Sequence, residues 1–203
     1  MDSYTINDFT GEVGSNLIVA TSTDGNAAAF GGGINIYIGI TDLAGIISEN
    51  GVFAESLYGS AEAYGGGVNA YSVNILSGQI TDNIAAASSE EGDVGAFGGG
   101  ICVGSSIGTL SGEINKNSLY AGSDEGMALA YGGGVRTQDG LDILSGQVSE
   151  NVAFAYSISA SAEAAGGGLH ANNVNVLSGS ITRNAAVVSA ETGEAAVLGG
   201  GAY

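Results

Sequence analysis

The residues of this chain that could do chemistry are few, and most are carboxylates. Asp8 and Asp42 stand 34 positions apart, a separation that recurs along the chain. If successive units of that length stack as coils, the two carboxyls fall about 5 Å apart. Carboxylates at that distance can share a proton or hold a cation. The competing assignment is a solvated column near one end of the stack. Arg136, Asp139 and Asp142 offer a base and cation ligands of the sort a polysaccharide lyase uses, or else a solvated turn. Cys102 and His170 are the single thiol and the single imidazole. They lie two units apart, too far for a tight zinc site, so His170 is expected at the surface and Cys102 as a free thiol. Nucleophile–base triads and haem motifs are absent, and no lysine follows any glycine triplet, which excludes a P-loop. No catalytic residue, cofactor or dedicated metal site is therefore expected, loosely bound divalent cations apart.

The elements that must position these residues come from a tandem repeat. Glycine triplets begin at Gly31, Gly65, Gly98, Gly132, Gly166 and Gly199, spaced 34, 33, 34, 34 and 33 residues apart. Asparagines keep the same register at Asn16, Asn50, Asn83, Asn117, Asn151 and Asn184. So do the lone glycines Gly11, Gly45, Gly78, Gly112, Gly146 and Gly179. A helical hairpin repeat of this length is excluded, because three glycines per unit would cost each helix roughly 3 kcal/mol relative to alanine. Apolar columns flank the lone glycine, among them Leu43, Leu76, Leu110 and Leu144, and Ile47, Ile80, Ile114 and Val148. Large aliphatic residues at a fixed position are what an inward-facing strand stack needs.

The fold expected is all-β: a parallel β-solenoid of six coils of about 34 residues, residues 1–203 forming one domain. The repeats end near Gly33, Gly67, Gly100, Gly134, Gly168 and Gly201. The asparagines become a ladder of amides at one corner. The glycine triplets make another corner, where φ > 0 or close backbone approach excludes a Cβ. Phe30, Tyr64, Phe97 and Tyr131, each just before a triplet, form a stack of four rings. The column two residues past each triplet (Asp2, Asn35, Asn69, Cys102, Arg136, His170, Tyr203) points outward by period-2 alternation. The column Ser15, Glu49, Asp82, Lys116, Glu150, Arg183 forms a mild charge ladder. Ser88–Asp93 and Ser123–Gly126 are exposed loops.

Composition narrows the partners. A net charge of -18, with only Lys116, Arg136 and Arg183 basic, repels nucleic acid and anionic membranes. No apolar run of about 18 residues is present to insert in a bilayer, and the first residues lack the regions of a signal peptide.

The triplets followed by Ile34, Val68, Ile101, Val135 or Leu169 resemble the GGA[ILV] motif of the polymorphic outer membrane proteins. The stretches Val13–Asn16, Ile47–Asn50 and Ile80–Asn83 resemble their FxxN motif. The whole pattern is similar to repeats of bacterial surface proteins and autotransporter passengers. The resemblance implies a right-handed β-helix used in adhesion and surface display. Three functional classes follow: a structural subunit of an extracellular or cell-surface filament, a repeat segment of an adhesin or autotransporter passenger, and a carbohydrate-active enzyme on a pectate-lyase-like β-helix. An ice-binding face would need a flat Thr-x-Thr array, which is lacking. The structural, non-catalytic class is favoured, because an enzyme should break the repeat at its site whereas here the columns stay regular. The chain holds six whole repeats with no polar or helical cap at either end. Head-to-tail self-association through the two end coils is therefore the partner expected.

Overall fold

A computed structural model describes Thr5 to Tyr203. Met1 and Asp2, which the repeat register places just after a triplet position, lie outside the described residues. Each coil is made of short strands, every pairing between coils is parallel, and the coils build four sheets. In the third coil these strands are Val68–Leu76 in sheet I, Gln79–Thr81 in sheet II, Ile84–Ser89 in sheet III and Val94–Phe97 in sheet IV. The expected solenoid is the fold observed. Among the described residues no helix is long and apolar enough to cross a membrane.

Alternation decides which side chains go inside. In Ile84–Ser89 the inner set Ala85, Ala87 and Ser89 is buried, and the outer set Ile84, Ala86 and Ser88 is not. The interior has two compartments. Between sheets I and II lies an aliphatic core that includes Leu43, Leu76, Leu110, Leu144, Ile47, Ile80, Ile114 and Val148, all at 0% exposure. Each such side chain contributes roughly 1.5–3 kcal/mol by leaving water. Between sheets III and IV the core is nearly all alanine, as in Ala54, Ala63, Ala87, Ala96, Ala121 and Ala130. Mostly methyl-sized side chains let the two sheets pack closely into a thin arm, and Val52, Val94 and Leu119 are the larger residues buried among them.

Sheet I changes along the axis. Its strand is continuous in Ile34–Leu43 and Val68–Leu76. In later coils it splits, first into Ile101–Val103 and Ser106–Leu110. Before the split, a register shift between Ile36 and Gly39 pushes Tyr37 outward to 81% exposure.

The corner between sheets II and III has a conformation that the residue pattern does not announce. Ser15, Glu49, Asp82, Lys116, Glu150 and Arg183 all sit at φ between 55° and 58°. A side chain in this left-handed region costs about 1 kcal/mol, and a β-branched one costs more. The column accordingly carries none. Its exposed ion pair, Arg183 with Glu150, contributes at most about 1 kcal/mol.

Candidate functional site

The asparagine column and the glycine triplets, expected as two separate corners, form one unit. Asn83 is fully buried. Its Nδ2 donates to Asn117 Oδ1 at 3.0 Å, to the Ile47 carbonyl at 2.9 Å and to the Thr81 carbonyl at 2.9 Å. Asn117 Oδ1 also accepts the backbone N–H of Asn83 at 3.0 Å. The same bonds link Asn16 to Asn50, Asn50 to Asn83, Asn117 to Asn151 and Asn151 to Asn184. The amide plane is packed against the third glycine of the triplet on the opposite wall. A Cβ on Gly67 would lie 3.0 Å from Asn83 Cγ, and one on Gly100 2.9 Å from Asn117 Cγ. The repeat ends Gly33, Gly134 and Gly168 meet Asn50, Asn151 and Asn184 in the same way, and Gly201 lies against Ile181.

The other glycines of the triplet have different duties. Gly31, Gly65, Gly98, Gly132, Gly166 and Gly199 occupy φ values of 57° to 75°, so they supply the left-handed turn. The middle glycines Gly32, Gly66, Gly99, Gly133 and Gly167 face backbone of neighbouring segments with no room for a Cβ.

A second polar ladder lies where the residue pattern suggests only loops. Ser56, Ser89, Ser123 and Ser157 are buried at the tip of the alanine arm. Each hydroxyl accepts a backbone N–H three residues on and donates to a carbonyl of the preceding coil, as Ser89 does from Gly92 N and to Gly59 O. Its signal is a spacing: serine recurs six residues after each asparagine from Ser22 to Ser157, and Ala190 breaks the series. Consequently Ser88, Ser89 and Ser123 belong to strands, and only Glu90–Asp93 and Asp124–Gly126 remain as the connecting turns. The wider loops expected there are corrected by this buried hydroxyl.

The aromatic corner differs from expectation in two ways. Phe30, Tyr64, Phe97 and Tyr131 stack at centroid distances of 4.9, 5.0 and 5.9 Å. The stack then continues through His170 at 4.8 Å and Tyr203 at 5.6 Å, which belong to the column past the triplet. It changes column because Ala165 stands where a fifth ring would have been and leaves the space to His170. The column past the triplet is also not simply outward-facing. Cys102 is 2% exposed, with the Arg136 guanidinium 3.8 Å from its sulfur and 4.5 Å from the centre of the Phe97 ring. Packing beneath the neighbouring rings overrides the exposure that alternation predicts. Burial pushes the Cys102 thiol up, against the opposing pull of Arg136. Burial, then Glu163, pushes the Tyr131 hydroxyl up to about 12. Tyr64 is raised by burial and by Glu62. Burial, then Arg136, pulls the His170 imidazole below its ordinary range, with Glu163 opposing.

This gives a pH dependence with a definite sign. Folding disfavours the protonated imidazole, so the unfolded chain takes up the proton first, and stability falls as pH drops below about 6.5. His170 is the only histidine, so the effect is separable. Replacement by phenylalanine keeps a ring in the stack and should abolish the part of the decline between about pH 7 and pH 5. Urea midpoints of both proteins across that range check it.

Of the carboxylates singled out in the sequence, Asp8 and Asp42 stand side by side as expected, and among the described residues none joins a larger cluster. Asp8 and Asp42 are register partners in adjacent coils, but Asp42 accepts a hydrogen bond from Ser77 at 3.1 Å and Asp8 is exposed. Asp139 accepts from Ser105 at 2.7 Å, and Asp142 from Asn175 at 3.0 Å. Arg136 is committed to the ring stack. Cys102 and His170 flank Arg136 in register, one coil to either side. Among the described residues no cluster of three metal-ligating side chains occurs. Comparison with protein-family models, with curated proteins and with solved structures gives no match.

Proposed function

We propose that this chain is a non-catalytic structural solenoid whose coils continue end to end into a filament at the cell surface or outside the cell. The observation that carries the reading is the contrast between middle and end coils. The column of Leu43, Leu76, Leu110 and Leu144 is at 0% exposure, and its last member, Leu177, is at 59%. At the other end Ile18 is 36% exposed where its register partner Val52 is at 0%. Each end of the described rod therefore exposes core columns that another coil of the same register would cover.

The asparagine ladder adds direction. Every step runs from the amide donors of one coil to the Oδ1 of the next, so an acceptor faces one end of the rod and donors face the other. Contact between unlike ends is heterologous and does not close, which generates a fibre. The placement outside the cell rests on the resemblance to surface-protein repeats. The absence of a catalytic role is supported by carboxylates that bond within neighbouring coils. No cofactor is required, although the acidic surface attracts divalent cations.

Self-repulsion from a charge of -18 opposes stacking, so salt, calcium or mild acid should promote it. Electron microscopy of the purified chain should show unbranched filaments with an axial rise of about 29 Å per subunit. A monodisperse monomer at high concentration, with calcium and at about pH 5 where carboxylates begin to protonate, would overturn the proposal. Coverage of the ends would then come from further coils of the same polypeptide.

A further inference from the structure

We infer that the outer face of sheet III carries a binding groove for a linear oligosaccharide bearing free amino groups. A groove of about 520 Å³ crosses this face from the first coil to the fifth. Two outer columns explain its presence. One reads Phe53, Ala86, Tyr120, Phe154 and the other Glu55, Ser88, Gly122, Tyr156. Large side chains would make a continuous ridge, and Ala86, Ser88 and Gly122 interrupt it. A Cβ on Gly122 would lie 2.8 Å from Tyr120 ring carbons. Its absence lets the Tyr120 ring extend over the strand while stacking on Phe154 at 5.6 Å and 8°. Tyr156 is held by donating to Glu191 at 3.3 Å.

The result is a trough lined by Tyr120 and Tyr156, Ser88, Glu55, Glu90 and Asp124. Aromatic faces beside hydroxyls and carboxylates match a sugar ring, which has an apolar C–H face and a rim of hydroxyls. Three carboxylates with no lysine or arginine in the lining set the charge preference. They repel uronates and attract protonated amines, which also gain from the tyrosine faces. The coils cross the groove at a spacing of about 4.8 Å, close to the advance of one ring along an extended glycan. A basic peptide fits less well. The strands beneath are paired on both sides, so no row of main-chain groups is free to receive a peptide strand.

Calorimetric titration of the full chain, below any concentration at which it assembles, tests this independently of end-to-end stacking. The probes are a β-linked glucosamine tetramer, its fully N-acetylated form, tetragalacturonate and tetralysine. The glucosamine tetramer should bind, the acetylated form more weakly and the uronate not at all. Tyr120→Ala should weaken binding by about tenfold or more, and Tyr120→Phe should retain it. Tyr120 is 40% exposed, so both variants should keep the wild-type circular dichroism. Absence of glucosamine binding would overturn the inference. So would tetralysine binding of equal strength that Tyr120→Ala leaves unchanged, since that would reduce the groove to a patch of charge.

Discussion

Replacing Gly99 with alanine is expected to remove more than about 4 kcal/mol of stability, a loss reserved for few single substitutions. Gly99 is the middle residue of its triplet, and its φ is ordinary. The argument is purely steric. The added Cβ would lie 2.7 Å from the Ser118 carbonyl oxygen and closer still to that of Gly133. Both oxygens are backbone, held at a corner where Gly99 N–H bonds to Gly132 O at 3.1 Å. Neither can rotate away as a side chain would. The damage falls mid-rod, and in a solenoid each coil is stabilised only by its neighbours, so the coils on either side should lose protection together. Urea unfolding with hydrogen exchange checks this. The control is Gly104→Ala, where the nearest atom to a Cβ is 3.6 Å away on Tyr71. That variant should stay within about 0.5 kcal/mol of wild type. Equal behaviour of the two would show that the triplet corner yields to a methyl group.

The second large effect is expected from removing two adjacent rungs of the amide ladder. In Asn83→Ala with Asn117→Ala, the Asn50 and Asn83 backbone N–H groups lose their acceptors. The Ile47 and Ile80 carbonyls lose their amide donors. Both side chains are at 0% exposure, so water cannot substitute without entering the coil. Each buried group left unpaired costs roughly 1–3 kcal/mol, and the cavity beside Gly67 and Gly100 adds to it. The double variant should lose about 4 kcal/mol or more, and the sum of the single variants should differ from it because they share a bond. Asn69→Ala is the contrast. Its amide also bonds along the axis, to Asn35 at 2.9 Å, but at the exposed surface, where loss should be near 0.5 kcal/mol. An unchanged melting temperature in the double variant would leave the buried ladder without a stabilising role.

Both effects rest on columns that the amino-acid sequence displays by spacing alone. A repeat in register places equivalent residues in equivalent surroundings, so any residue type that every coil needs must recur at a fixed interval. That is why the inward leucines, the asparagines and the left-handed first glycines are legible from their intervals. The serine ladder obeys the same rule, but serine is common and its column merges with the polar residues of the neighbouring turns. The left-handed corner at Ser15 to Arg183 is hidden for a different reason. That conformation excludes β-branched residues without demanding any one type, so the column shows only assorted polar residues.

What the tertiary structure alone decided are relations between columns. The third glycine and the asparagine meet across the coil, because the chain folds back between them and the interior there has room for one amide and no methyl group. The ring stack passes from Tyr131 to His170 because Ala165 leaves a space that a residue of another column fills. Cys102 is buried because Arg136 and the rings cover a position that alternation alone turns outward. Period and alternation fix the direction of each side chain from its own strand. Whether that side chain meets water, a ring or a glycine depends on the volumes of neighbours distant in sequence, and those are settled only when the coils close.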